Sequence, residues 1–112
     1  MASVDECREA LLRLAEKMAA NAEEVRGRVD LDRPLTCRLT DLDVAFHGRL
    51  AGGRLVDIRD GDDPSAKIKL TTTSDDLVAL VDGQLDFARA VAARRVSISA
   101  NPFDLFKLRK LL

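Results

Sequence analysis

AKIKLTTTSDDLVALVDGQL, residues 66–85, changes its period half-way along. Ala66, Ile68 and Leu70 alternate with Lys67 and Lys69, the two-residue repeat of a half-buried strand. From Ser74 the pattern becomes helical, with Leu77, Val78, Leu80 and Val81 on one face. Ser74 is placed as the helix cap, and Asp75 and Asp76 lie in the first turn, where the helix dipole favours negative charge. Gly83 is a fitting stop. A strand feeding straight into a short helix predicts a mixed α/β (α+β) chain.

The residues downstream extend that order. Asp86 can cap a second short helix carrying Phe87, Ala90 and Val91, with Arg94 and Arg95 at its cation-favouring end. Val96, Ile98 and Ala100 alternate as a further strand. Asn101-Pro102 then opens a last helix in the favoured order of cap and first position. In that helix Leu105, Leu108 and Leu112 share one face, while Phe103 and Phe106 lie on another. A helix that is apolar on two sides is buried twice or meets something besides its own core.

Upstream, Leu35, Cys37 and Leu39 alternate with polar residues, and Leu42, Val44 and Phe46 do so with the opposite parity. The flip requires a turn or bulge near Thr40-Asp41. Ala51-Gly52-Gly53 suits a hairpin turn, Arg54 to Arg59 reads as the next strand, and residues 60–65 read as a loop. Short connections favour antiparallel neighbours. Before all of this, Ser3 and Glu6 form a capping box. Val4, Cys7, Leu11, Leu14, Met18, Ala22 and Val25 follow on one stripe of a long amphipathic helix, and Gly27 is its expected end. The polar face of that helix mixes both signs, unlike the basic face of a membrane-surface helix.

The chain has 112 residues, which predicts one domain over 1–112. With 18 Lys+Arg against 19 Asp+Glu, no Trp, no Tyr and four Phe, it lacks both the charge and the stacking surface of a nucleic-acid binder. No stretch approaches a membrane span, and the acidic start has no basic leader, so a cytoplasmic location is expected. Cys7 and Cys37 fit no CxxC pattern and read as reduced core residues, with a disulfide between them as the rival. Neither these cysteines nor His47 has metal-ligand spacing, and Asp60, Asp62 and Asp63 lack the order of a calcium loop. His47 is placed on the solvated side of its strand. No phosphate-binding glycine motif and no nucleophile–base set is present, so no cofactor, metal or catalytic residue is predicted. Charge is uneven along the chain: residues 60–86 carry seven Asp against two Lys, and residues 89–112 carry six Arg and Lys against Asp104.

The segment from Ala66 to Leu112 resembles the sterol carrier protein 2 family of lipid-transfer domains. The resemblance rests on AKIKLT at 66–71, DDLVALVDGQL at 75–85, FARA at 87–90, VSISAN at 96–101 and LFKL at 105–108. It implies a single domain with a five-stranded, mainly antiparallel sheet covered by helices around an apolar tunnel. It also implies non-catalytic binding of fatty acids, fatty acyl-CoA, sterols or other lipids, with no cofactor. On that reading the lining comes from Phe46, Ile68 and Leu70 on the sheet, Leu77, Leu80 and Val81 on the short helix, and Phe87 and Val91 on the next. Phe103 and Phe106 form a movable wall. Arg94, Arg95, Lys107, Arg109 and Lys110 make a basic rim suited to an anionic headgroup or a transient membrane contact. The oligomer is a monomer or homodimer. The rival reading is an accessory module of the same fold, used for protein interaction or dimerisation. The family often has glycine where this chain has Arg94 and Ala100, so a left-handed backbone at either position would be strained here.

A standing hollow is costly at this size. Burying a C16 chain gains on the order of 12 kcal/mol, and association removes about 4–15 kcal/mol of it. An empty pocket of roughly 300 Å³ costs about 7 kcal/mol, comparable with the whole stability of a small domain. The hollow should therefore stay filled or collapse.

Overall fold

The computed structural model describes residues 1–26 and 31–111. Gly27 and Leu112, and the side chains of Ala22, Val25, Leu108, Arg109 and Lys110, lie outside the described residues. Helix α1 (Val4–Arg26) comes first, then strands β1 (Asp32–Leu39), β2 (Val44–Ala51), β3 (Arg54–Asp60) and β4 (Ile68–Thr72). Helices α2 (Ser74–Val81) and α3 (Phe87–Ala92), strand β5 (Ser97–Ser99) and helix α4 (Pro102–Leu111) complete the described chain.

Local chemistry sets most of these boundaries. The Ser3 hydroxyl accepts from the Glu6 N–H at 3.1 Å and the Glu6 carboxylate accepts from the Ser3 N–H at 3.2 Å, so the capping box is closed. Asp86 caps α3, and Asn101 caps α4 ahead of Pro102. At α2 the cap is Thr73 rather than Ser74. Ser74 is instead fully buried, and both its N–H and its hydroxyl donate to the Asp41 carboxylate in the β1–β2 turn.

The strands form a mixed sheet in the order β3-β2-β1-β4-β5. The parity flip is resolved by a hairpin. Leu39 pairs with Val44 and Cys37 with Phe46, so both apolar sets share one face. Gly52 and Gly53 take the left-handed backbone of the next hairpin turn. Three of the pairings are antiparallel, and β1 and β4 are parallel, unlike the neighbours that short connections favour. The reason is the path of residues 61–67, which cross the polar face of the sheet instead of turning back. The His47 Nδ1–H donates to the Gly61 carbonyl at 2.9 Å, the Thr36 hydroxyl donates to Asp62 at 2.8 Å, and the Lys67 N–H donates to the Pro34 carbonyl at 3.0 Å. His47 thus lies on the polar side, as its parity requires.

The apolar face of the sheet is roofed by α1 and α2. One buried cluster joins Cys7, Ala10 and Leu11 of α1, Cys37, Leu39 and Phe46 of the sheet, and Leu77 and Val81 of α2. The second joins Leu31, Leu35, Leu50, Leu55 and Ile68. Leu14, Ile58 and Leu70 pack against both clusters, so the two form one continuous layer.

Candidate functional site

The apolar layer is where the expected lining residues gather, but only in part. Phe46, Leu77 and Val81 meet in the first cluster, Ile68 lies in the second, and Leu70 bridges them. Leu80 and Phe87 are half-buried. Val91, Phe103 and Phe106 point outward, 38%, 80% and 60% exposed. Among the described side chains of α4, the buried one is the carboxylate of Asp104. Asp104 is 2% exposed and accepts from Arg33 Nε at 3.2 Å. This pair orients the helix with its phenylalanines away from the sheet.

Under Leu11 the layer is closely filled. Between α1 and the sheet, a gap bordered by Leu11, Cys37, Phe46, Leu55 and Ile58 gives the centre of a water-sized sphere only about 10 Å³. That is room for one water at most. Leu11, Cys37, Leu55 and Ile58 did not figure among the expected lining residues. For Leu11 and Cys37 the signal was present: Leu11 sits on the α1 stripe and Cys37 alternates with Leu35 and Leu39.

Two larger hollows open at the margins. A cleft of about 380 Å³ lies at the top of β2, lined by Val4, Val44 and Phe46 together with Arg38, Asp43 and residues 60–62. A polar groove of about 690 Å³ lies at the other end of β1, between Arg33, Lys67, Lys69, Ser99 and the start of α4.

Ion pairs tie the roof to the sheet and to itself. Arg8 of α1 donates to both oxygens of Asp60 at the end of β3, at 3.0 and 2.6 Å, and its guanidinium lies 5.8 Å from the centre of the Phe46 ring. The hydrogen bonds from Arg8 hold the Asp60 carboxyl below the usual carboxylate range. Arg13 pairs with Asp82 after α2 at 3.0 Å, and Lys17 Nζ donates to the Val81 carbonyl.

Both cysteines are free and buried. Burial pushes the Cys37 thiol up to about 12, with the neighbouring Cys7 adding to the shift. Burial also raises Cys7, helped by the charges of Asp41, Glu6 and Asp75. Neither is an activated nucleophile. Among the described residues no group of three His, Cys, Asp or Glu is placed to hold a metal, and no helix is long and apolar enough to cross a membrane.

The model of the SCP-2 sterol transfer family matches residues 9–112. The chain belongs to that family. No curated protein matches the sequence. Solved structures share the SCP-2 fold at low identity. A crystal structure of sterol carrier protein 2 superposes with a TM-score of 0.66 at 11% identity, over 97% of this chain and 92% of that one. Sterol carrier protein 2 from Aedes aegypti, in complex with the C16 fatty acid palmitate, gives 0.54 at 19% identity, over 88% and 89%. A stereoselective inverting sec-alkylsulfatase from Pseudomonas sp. gives 0.65 at 23% identity over 88% of this chain. This chain corresponds to only 15% of the sulfatase.

Proposed function

We propose that this SCP-2 domain is a non-catalytic lipid carrier that takes an apolar chain between its sheet and its helical roof. The observation that carries the proposal is the segregation of the sheet's apolar residues onto one face, under α1 and α2, in a chain of this family. The ligand class is a fatty acid, a fatty acyl-CoA, or a sterol-like or other lipid; the palmitate complex of the mosquito relative supports the first. The close filling of the layer agrees with the cost of an empty hollow. A guest is accommodated as side chains part along the seam at Leu14, Ile58 and Leu70, and its own methylenes then pack where those side chains met. Phe46, Ile68, Leu70, Leu77 and Val81 line the occupied site, with Leu80 and Phe87 at its margin. Phe103 and Phe106 swing in from α4 as its movable wall, and Val91 contributes from α3.

The basic rim of Arg94, Arg95, Lys107, Arg109 and Lys110 serves transient contact with an anionic headgroup or membrane surface during transfer. Arg95 also pairs with Asp76. The free buried thiols fit a reducing, cytoplasmic setting.

The deciding experiment is organic extraction of purified protein with mass spectrometry of the extract, beside a melting-temperature panel of fatty acids and acyl-CoAs. Co-purifying lipid and a rise in melting temperature are expected; a clean extract and a flat panel overturn the carrier reading. The second reading, an accessory or dimerisation module, is favoured by the sulfatase, in which this fold is a small part of a long chain. A tight dimer by light scattering, with no lipid, selects it.

A further inference from the structure

The cleft at the top of β2 and the small gap under α1 share one lining residue, Phe46. Val4 and Val44, which line the cleft, also pack against the first apolar cluster. Phe46, which is 2% exposed, therefore stands between the cleft and the layer. Arg8 reaches over that ring and grips Asp60 through two hydrogen bonds, so α1 and the end of β3 are clamped across the same spot. Asp60 itself lines the cleft. Close by, Gly48 faces a bulge in β3, where Asp57 takes a left-handed backbone with φ of 57°. The strand is thus irregular beside the clamp.

We propose that this cleft is the doorway and outer subsite for the lipid, with Phe46 as the door and the Arg8–Asp60 pair as its latch. The inference rests on the carrier reading and adds where the ligand enters. The rim charge also selects which end leads. Arg38 stands against Asp43, Asp60 and Asp62, and Arg8 is shared between Asp60 and Asp5. An ionised carboxylate or phosphate is repelled by that rim, so an anionic amphiphile passes Phe46 tail first and keeps its head outside.

Stopped-flow uptake of cis-parinaric acid tests the doorway, since the chain has no Trp to report binding. Asp60→Asn and Arg8→Gln each unfasten the latch, and each is expected to raise the uptake rate about two- to fivefold, the scale of one partly exposed ion pair. Asp82→Asn breaks the comparable Arg13 pair between α1 and α2 and leaves the rate unchanged. Unchanged rates in both latch variants overturn the doorway, and so does an equal rise in Asp82→Asn, which reports general loosening. If equilibrium binding persists in those cases, the carrier reading stands without this entrance. A wild-type protein that takes up no probe defeats both.

Discussion

Arg94 occupies, after α3, the same left-handed position that Gly83 occupies after α2. Their φ angles are 62° and 78°. Both helices close with the same pair of hydrogen bonds. After α2 the Gly83 N–H donates to Leu80 and the Gln84 N–H to Ala79; after α3 the Arg94 N–H donates to Val91 and the Arg95 N–H to Ala90. Only one of the two helices ends on the residue that this geometry favours. A left-handed backbone costs a residue with a Cβ roughly 1–2 kcal/mol, offset in part by glycine's greater freedom when unfolded. Arg94→Gly is expected to stabilise the protein by about 0.5–1 kcal/mol, read as a melting-temperature rise of about 2–5 °C. Arg94→Ala keeps the strain and gives no such gain. Ala100, the other position where the family often has glycine, shows no left-handed backbone.

Gly48→Ala is expected to destabilise. A Cβ at Gly48 meets the Val56 carbonyl oxygen at 3.0 Å and the Leu55 side chain at 3.5 Å. The nearest atom is backbone in a paired strand, so relief requires β3 to shift. The expected loss is about 1–3 kcal/mol, the range for overpacking, measured by chemical denaturation. Wild-type stability in this variant would show that β3 yields without cost.

The thiols set an alkaline limit. The Cys37 pKa lies well above its ordinary value of 9.0, so the fold holds the neutral thiol while the unfolded chain can ionise. The stabilising contribution is complete below the unfolded pKa and declines as pH rises from about 9 towards 12. Denaturation midpoints should fall between pH 8 and pH 10, and Cys37→Ala should flatten that fall. Ellman's reagent should label neither Cys7 nor Cys37 in the folded protein at pH 8, and both in denaturant. Prompt labelling of either in the native state contradicts their burial.

What could be read from the residues alone was whatever one turn of chain decides. The Ser3–Glu6 box, the Asp86 and Asn101 caps and the Gly52-Gly53 turn depend on neighbours within four residues. Thr73 and Ser74 are both hydroxyl residues at the start of α2, and Asp41, 33 positions away, decides which of them caps. The parallel pairing of β1 with β4 depends on residues 61–67 finding Thr36 and His47, which no local pattern encodes. Periodicity brought Phe46, Ile68, Leu70, Leu77 and Val81 to the apolar layer, while Val91, Phe103 and Phe106, read from the same kind of pattern, are exposed. It does not say which apolar face meets the sheet. On α4 the partner of Asp104 is Arg33, 71 positions away, and that pair turns Phe103 and Phe106 outward. The latch was invisible for the same reason, since Arg8 and Asp60 lie 52 positions apart.

Acid acts through the carboxylates that are held ionised. Asp41 is kept below its ordinary value chiefly by the Ser74 hydroxyl, Asp60 by Arg8 and Asp63 by Ser65. For a carboxylate with a depressed folded pKa, the stabilising contribution is present above the unfolded value near 3.9 and is lost as pH falls through the folded one. Stability should therefore decline from about pH 4 downward. Asp41→Asn should lower the melting temperature at pH 7 and shrink the further loss between pH 4 and pH 2. An unaltered acid profile would mean that the Asp41–Ser74 contact carries no ionisation-dependent stability.

Phe46 and Phe106 separate a core role from a ligand role. Phe46 is fully buried where α1 meets the sheet, so Phe46→Ala removes a ring from a packed layer and should cost about 3–5 kcal/mol. Phe106 is 60% exposed on α4, and Phe106→Ala should cost under about 1 kcal/mol. If α4 closes over a bound chain, the second variant should still weaken binding of cis-parinaric acid, about three- to tenfold for the loss of one ring contact worth roughly 0.7–1.4 kcal/mol. Denaturation and probe titration on the same preparations give both quantities. Unchanged affinity in Phe106→Ala, with stability also unchanged, removes α4 from the lining and confines the ligand to the layer under α1 and α2.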